Sequence, residues 1–315
     1  MRLIPYLTGG LLVFLSCIWA ASFAVDASRK PPEKPSTVPW LDGARYGYAT
    51  IDGIETRYLT AGTGPDLVLL HTFSTELGQF QKVWRSLAED YTVWALDLPG
   101  FGYSDLPDEP LTAAYYADFV SAFLTAFNIT EATLAGESIG GTIPLLMSAG
   151  GDDRVAKIVA LNPIGYVADP LARSTPFASA FSRAVRTPVI GDFVLRIRND
   201  RATRAILKGA VTSIAVIPDA YLAALAAIQK RPEFAGAQKS LLNNSASWVS
   251  AVGQFDAVTA ATHILWGDQD WSEPDERRAF TGSIAGATSK TLDKTGHFIT
   301  MDNPGAIIAA LKPGN

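Results

Sequence analysis

From residue 47 onward, short runs of β-type residues alternate with helix-length amphipathic stretches, and this alternation leaves few folds open. Strands are expected at residues 47–51 and 55–60, around an Asp52-Gly53 hairpin signal, and then at 67–71, 92–96, 133–136, 155–161, 263–266 and 289–292. Several of these runs are continuously apolar, as parallel strands covered on both faces must be. Between them, residues 112–127 place Tyr116, Phe119, Val120, Phe123, Leu124 and Phe127 on one helical stripe, with Thr112 as N-cap. The pattern predicts an α/β fold: a mostly parallel eight-stranded sheet after an antiparallel start, with helices on both faces.

The alternation breaks between residues 166 and 256, where alanine, leucine, isoleucine and arginine recur at helical spacing, as in residues 220–229, and no strand pattern appears. Residues 169–255 carry a net charge of +6, while the remainder of the chain sums to −11. The insertion is thus basic on an acidic body, which suits either a solvated helical surface or attraction of anionic substrates or lipid headgroups. A net charge of −5 over the whole chain gives no sign of a nucleic-acid surface.

Residues 3–25 carry no charge, and 11–25 are almost unbroken apolar sequence. Two expectations follow, a cleaved signal peptide with Ser22-Phe23-Ala24 as a passable cleavage site, or an uncleaved transmembrane anchor. Either would place the protein at a membrane or export it, with membrane association through residues 3–25. Four prolines in residues 29–39 then read as an extended linker. The single cysteine, Cys17, lies in the apolar segment, so no intrachain disulfide can form. His71, His263 and His297 are the only histidines; far apart and without cysteine partners, they suggest no metal site.

The chemistry begins at Gly136-Glu137-Ser138-Ile139-Gly140. This stretch follows a predicted strand and precedes a helical run over 139–149, so Ser138 stands on a tight strand-to-helix turn beside a helix N-terminus. A serine hydroxyl is a weak nucleophile and needs a base that is itself oriented by an acid. Downstream, Gly267-Asp268-Gln269-Asp270 ends one strand, and His297 follows the last strand, giving the chain order Ser, Asp, His. His297 is the only histidine after Asp270, while His263 begins a strand and reads as structural. Asp268 and Asp293 compete with Asp270 for the acid, and Glu137 reads equally as surface or hinge polarity.

These residues resemble the α/β-hydrolase superfamily over about residues 45–312. His71-Thr72-Phe73, where the family usually has His-Gly, and the signature from Asp97 to Asp105 (DLPGFGYSD) strengthen the resemblance. With the signal or anchor and the linker read above taking 1–28 and 29–44, it implies the α/β-hydrolase fold, with the core at 45–165 and 257–315 and a helical cap at 166–256. It also implies Asp270, at the family's Gly-x-x-Asp position, as the acid. The oxyanion hole falls to the backbone N–H groups of Ile139, next after the nucleophile, and of Phe73, by analogy. Thr72 departs from the family glycine, and a β-branched residue at positive φ is costly, so an altered loop is expected there.

The expected activity is a serine hydrolase acting on a small-molecule carboxylic ester without a cofactor. Gly62-Thr63-Gly64 lacks the context of a dinucleotide fingerprint, and there is no phosphate-binding Gly-Lys loop. Carbon-carbon bond hydrolases, proline-type aminopeptidases and cofactor-free perhydrolases resemble the same triad and stay open. A non-catalytic binding protein on this fold is the alternative from another class. Halide removal and epoxide opening are disfavoured, because those relatives carry an aspartate where Ser138 stands.

Overall fold

In the computed structural model, which describes residues 4–36, 40 and 43–313, the chain enters the sheet through an antiparallel pair. Strands β1 (Arg45–Ile51) and β2 (Ile54–Ala61) turn at Asp52-Gly53, both at positive φ, and β2 pairs antiparallel with β4 (Thr92–Leu96). From there the sheet is parallel: β3 (Asp66–Leu70), β5 (Ala132–Glu137), β6 (Val155–Leu161), β7 (Ala261–Gly267) and β8 (Thr288–Leu292) complete the order β1-β2-β4-β3-β5-β6-β7-β8. All eight expected strands are present. β3 and β5 to β7 are buried along most of their length because helices cover both faces.

The helix Ala113–Ala126 bears out its stripe. Tyr116, Phe119, Val120, Phe123 and Leu124 are buried, and the Thr112 hydroxyl caps it by accepting from Tyr115 N–H. Each such side chain contributes roughly 1.5–3 kcal/mol by leaving water. On the opposite face, Leu59, Leu67, Phe80, Trp84 and Ile307 form a second core layer.

Between β6 and β7 the chain is helical, from Pro170–Arg173 through Pro176–Arg186, Ile190–Arg196, Asp200–Lys208, Asp219–Ile228, Pro232–Asn243 and Ala246–Val252 to Phe255–Ala257. This cap lies over the C-terminal ends of the strands. It is tied to the body by Trp271 Nε1, which donates to Gly209 O (2.8 Å), and by Phe298 N–H, which donates to Ala210 O (2.8 Å).

The N-terminal segment corrects an expectation. Among the described residues no helix is long and apolar enough to cross a membrane, which contradicts the membrane-anchored placement drawn from residues 3–25. The helix Ile4–Ala27 instead turns its C-terminal half onto the cap. Trp19 stacks on Phe193, and the Arg196 guanidinium lies 4.3 Å from the Trp19 ring centroid and 4.0 Å from that of Phe23, while donating to Ser22 Oγ (3.0 Å). Asp26 pairs with Arg29 and Arg198. A helix face carrying guanidinium partners is a poor face for hydrocarbon, where a charge is costly. Of the expected linker, residues 37–39, 41 and 42 lie outside the described residues; Lys34 within it pairs with Glu55 and Asp105 on the body.

Candidate active site

Ser138 sits at φ 59°, ψ −117°, between the end of β5 and the helix Ile139–Ala149. A non-glycine residue there is strained, and it persists because its surroundings fix it. Both flanking glycines are obligatory. A Cβ on Gly136 would lie 2.2 Å from Gly140 O, and one on Gly140 would lie 2.1 Å from Leu70 O. Ser138 N–H is held by Leu161 O (2.9 Å), which ties the turn to β6.

Asp270 and His297 come from the loops after β7 and β8. His297 Nδ1 is 2.5 Å from Asp270 Oδ1, and both side chains are buried. Asp270 Oδ2 accepts from Ser272 N–H (3.0 Å) and from its hydroxyl. Burial alone would raise the Asp270 pKa, but the charge and hydrogen bond of His297 and the Ser272 donors outweigh it, and the net shift is downward. The carboxylate therefore stays ionised beside the imidazole. Trp271 stacks on the imidazole at 3.7 Å between ring centroids, and His297 Nε2 is buried without a partner among the described residues. Asn162 fixes the loop: its Nδ2 donates to Gly296 O and His297 O (2.9 Å each), and its Oδ1 accepts from Gly267 N–H (2.8 Å).

The competing groups are placed elsewhere. Asp268 Oδ1 accepts from Thr295 N–H (2.9 Å) and so closes the turn, and the Asp293 carbonyl accepts from the Thr295 hydroxyl (3.0 Å). His263 lies near the start of β7, the end of the strand away from Asp270, with its Nδ1 2.8 Å from Thr288 Oγ1. A cleft of about 570 Å³ opens there, lined by His263, Lys157 and Lys290, but among the described residues no serine or cysteine lines it.

Ser138, His297, Phe73 and Ile139 line one cavity of about 90 Å³, walled chiefly by Ile164, Leu207, Leu241, Trp248, Trp271 and Phe298. Thr72 is not at positive φ; Ser74 is, at φ 61°. The expected strain at the glycine departure does not arise, because the loop takes its sharp turn two residues later. His71 beneath it is buried, and desolvation pushes its pKa down to about 4. Its neutral ring bridges two loops: Nδ1 lies 2.8 Å from Thr72 O, and Nε2 accepts from Leu98 N–H (2.9 Å).

Sequence reasoning missed what joins these pieces. Glu137 is fully buried; its carboxyl accepts from Thr300 N–H (3.1 Å) and Thr300 Oγ1 (2.7 Å) and from Gln79 Nε2. Gln79 Oε1 in turn accepts from Thr72 N–H (3.0 Å) and Thr75 Oγ1 (2.7 Å). One polar network thus connects the residue before Phe73, the residue before Ser138 and the residue three past His297. Only the adjacency of Glu137 to Ser138 hinted at it; Gln79 and Thr300 carry no sequence signal.

Desolvation raises the Glu137 pKa from 4.5 to about 8, with Thr300 opposing the shift. The folded state then holds a proton that the unfolded chain releases between about pH 4.5 and 8. The Glu137 contribution to stability is full below about pH 4.5 and is lost as the pH rises toward 8. Glu137→Gln keeps the shape and removes the titration. Urea denaturation at pH 5, 7 and 9 is expected to show a flatter stability profile for the variant, and an unchanged slope would reject the assignment.

The comparisons with known proteins agree with this architecture. Residues 65–304 match the family model described as the alpha/beta hydrolase fold. The chain belongs to the alpha/beta hydrolase family. Across 149 residues it is 35% identical to a dihydrolipoyllysine-residue acetyltransferase component of an acetoin cleaving system from Cupriavidus necator, covering 47% of this chain and 40% of that one. It is 26% identical to haloalkane dehalogenase 2 of Mycobacterium bovis over 91% of this chain and 98% of that one. This alpha/beta hydrolase spans less than half the length of several curated relatives it matches. Among solved structures, Cfl2 from Burkholderia cenocepacia superposes with a TM-score of 0.76 at 21% identity, covering 90% of this chain and 99% of that one. A membrane phospholipase A described as a bacterial virulence factor superposes at 0.68 and 20% identity, covering 99% of this chain and 97% of that one. At these identities the superpositions speak to the fold.

Proposed function

We propose that this alpha/beta hydrolase cleaves a carboxylic ester through an acyl-enzyme formed on Ser138. The observation that carries the reading is the His297 imidazole, bound to Asp270 through Nδ1, with a buried, unpartnered Nε2 in the cavity that Ser138 also lines. With Asp270 accepting from Nδ1–H, Nε2 carries the lone pair that takes the Ser138 proton as Oγ attacks the acyl carbon. The imidazolium so formed is stabilised by the ionised Asp270 and returns the proton to the leaving alcohol. Water then repeats the cycle on the acyl-enzyme. The N–H groups of Ile139, at the first turn of its helix, and of Phe73, on the loop held by Gln79, serve the oxyanion.

The serine supports acyl transfer over the reaction named for the haloalkane dehalogenase relative. The mainly apolar cavity favours an uncharged acyl or alcohol group. Labelling of the purified protein with a fluorophosphonate and turnover of p-nitrophenyl esters of graded chain length test the reading. Labelling confined to Ser138, with ester turnover, is expected. Labelling at another residue, or none on folded protein, would reject it; Ser138 labelling without ester turnover would favour the carbon-carbon hydrolase alternative.

A further inference from the structure

Besides Ser138 and His297, the residues Thr72, Ser74, Asp169, Thr203, Gln238 and Ser245 bring polar groups to the border of the cavity, and several of these are bound to the protein itself. Asp169 caps Ala172 N–H (3.1 Å), accepts from Ser182 Oγ (2.8 Å) and pairs with Arg186 (3.5 Å). Thr72 N–H is taken by Gln79. Gln238, from the cap helix Pro232–Asn243, is different. It lines the cavity and is only 4% exposed, and its Nε2 donates to Ser74 Oγ (2.7 Å) on the loop after Phe73. Its Oε1 is buried and has no partner among the described residues.

An amide held at one end and empty at the other is preoriented, and a buried acceptor left unpaired is a standing cost that a donor on a ligand removes. Trp248, 1% exposed and also lining the cavity, has an Nε1–H without a partner among the described residues. Gln238 and Trp248 thus bring to the lining of the cavity a buried acceptor and a buried donor without partners among the described residues, and a hydroxyl group is able to donate to the first.

We propose that Gln238 Oε1 accepts a hydrogen bond from a hydroxyl group on the substrate, so that the favoured esters are short and apolar but carry one hydroxyl away from the scissile bond. This rests on the reading of the cavity as the site of ester cleavage. Gln238 is then a specificity residue, and its anchor on Ser74 sets the position of the hydroxyl relative to Phe73 and Ser138. For a cavity of about 90 Å³ a short acyl chain is the first to test.

The test compares p-nitrophenyl butyrate with its 2-, 3- and 4-hydroxy counterparts. In the wild-type protein at least one hydroxy ester is expected to exceed butyrate in kcat/KM by about 10-fold or more, because a site built around a hydrogen bond rejects the analogue lacking it. Gln238→Leu, of similar size, should abolish that preference, read as the ratio of kcat/KM for the hydroxy ester to that for butyrate, and Gln238→Glu, which keeps an acceptor, should retain the preference. In parallel, calorimetric titration of the Ser138→Ala protein with methyl butyrate and the three methyl hydroxybutyrates reads the discrimination without turnover. If no ester is cleaved but one hydroxybutyrate binds more tightly and loses that advantage in Ser138→Ala/Gln238→Leu, the reaction assignment fails and the recognition stands. If no isomer is favoured over butyrate in either measurement, or the preference survives Gln238→Leu, the proposal is overturned.

Discussion

Replacing His297 by alanine is expected to lower kcat for ester hydrolysis by about 10⁶-fold, and adding Ser138→Ala to that variant is expected to cost almost nothing more. In the proposed mechanism the two side chains act as one device: the hydroxyl attacks only as its proton leaves for Nε2, so the first loss removes the contribution of both. What should persist is the stabilisation assigned there to the Phe73 and Ile139 N–H groups and the cavity, about 10³–10⁴ over water. Steady-state or single-turnover kinetics on a p-nitrophenyl ester measure both variants, and unchanged circular dichroism checks that the fold is kept. Additive losses, or a His297→Ala enzyme within about tenfold of the wild type, would show that the imidazole is not the base.

The site was legible in the sequence to the extent that chain order and strand ends define it. Ser138, Asp270 and His297 each follow a parallel strand, and in a parallel sheet successive C-terminal strand ends share one edge, so placing the strands places the residues. The apolar runs of β3, β5, β6 and β7 were readable because burial on both faces leaves no polar alternation to confuse them. β8 was a weaker signal, with Thr288, Ser289, Lys290 and Thr291 all exposed, and its place at the edge of the sheet explains why. What could not be read is what depends on side chains far apart in sequence meeting in space. Gln79 reaches Glu137 across 58 residues and Thr300 across 221, and no local pattern encodes such a contact. The N-terminal segment misled for a related reason: apolarity measures how poorly a helix suits water, and a helix can answer that by packing on protein. Trp19 does so in part against Phe193 and Arg196, while Ile18, Phe23 and Val25 stay exposed.

The signature from Asp97 to Asp105 named a family in the sequence, and its structure shows where stability is concentrated. Arg57, 2% exposed on β2, binds Asp97 through Nε (2.5 Å) and Nη2 (2.9 Å) and also pairs with Glu76. Asp97 further accepts from Leu77 N–H (2.8 Å) and Tyr103 N–H (2.7 Å), and Gly102 must lack a Cβ because one would stand 1.9 Å from Asp97 Oδ2. Arg57→Ala is therefore expected to destabilise the protein by about 3–5 kcal/mol, since it leaves two carboxyl groups buried without their cation. Arg57→Lys should recover only part of this, because an ammonium cannot reproduce the forked pairing. The loss should also depend on pH. Desolvation already raises the Glu76 pKa against the pull of Arg57, and without the guanidinium the folded protein holds a proton on Glu76 more tightly than the unfolded chain does. Stability of Arg57→Ala should then fall as the pH rises from the ordinary carboxylate range toward neutrality, so the gap to wild type is smallest near pH 4–5 and widest near pH 7. Urea denaturation of the wild type, Arg57→Ala and Arg57→Lys across that range measures it. A gap that does not change with pH would mean that the destabilisation comes from lost packing over the Tyr103 ring, which Arg57 covers at 4.7 Å, and not from uncompensated charge.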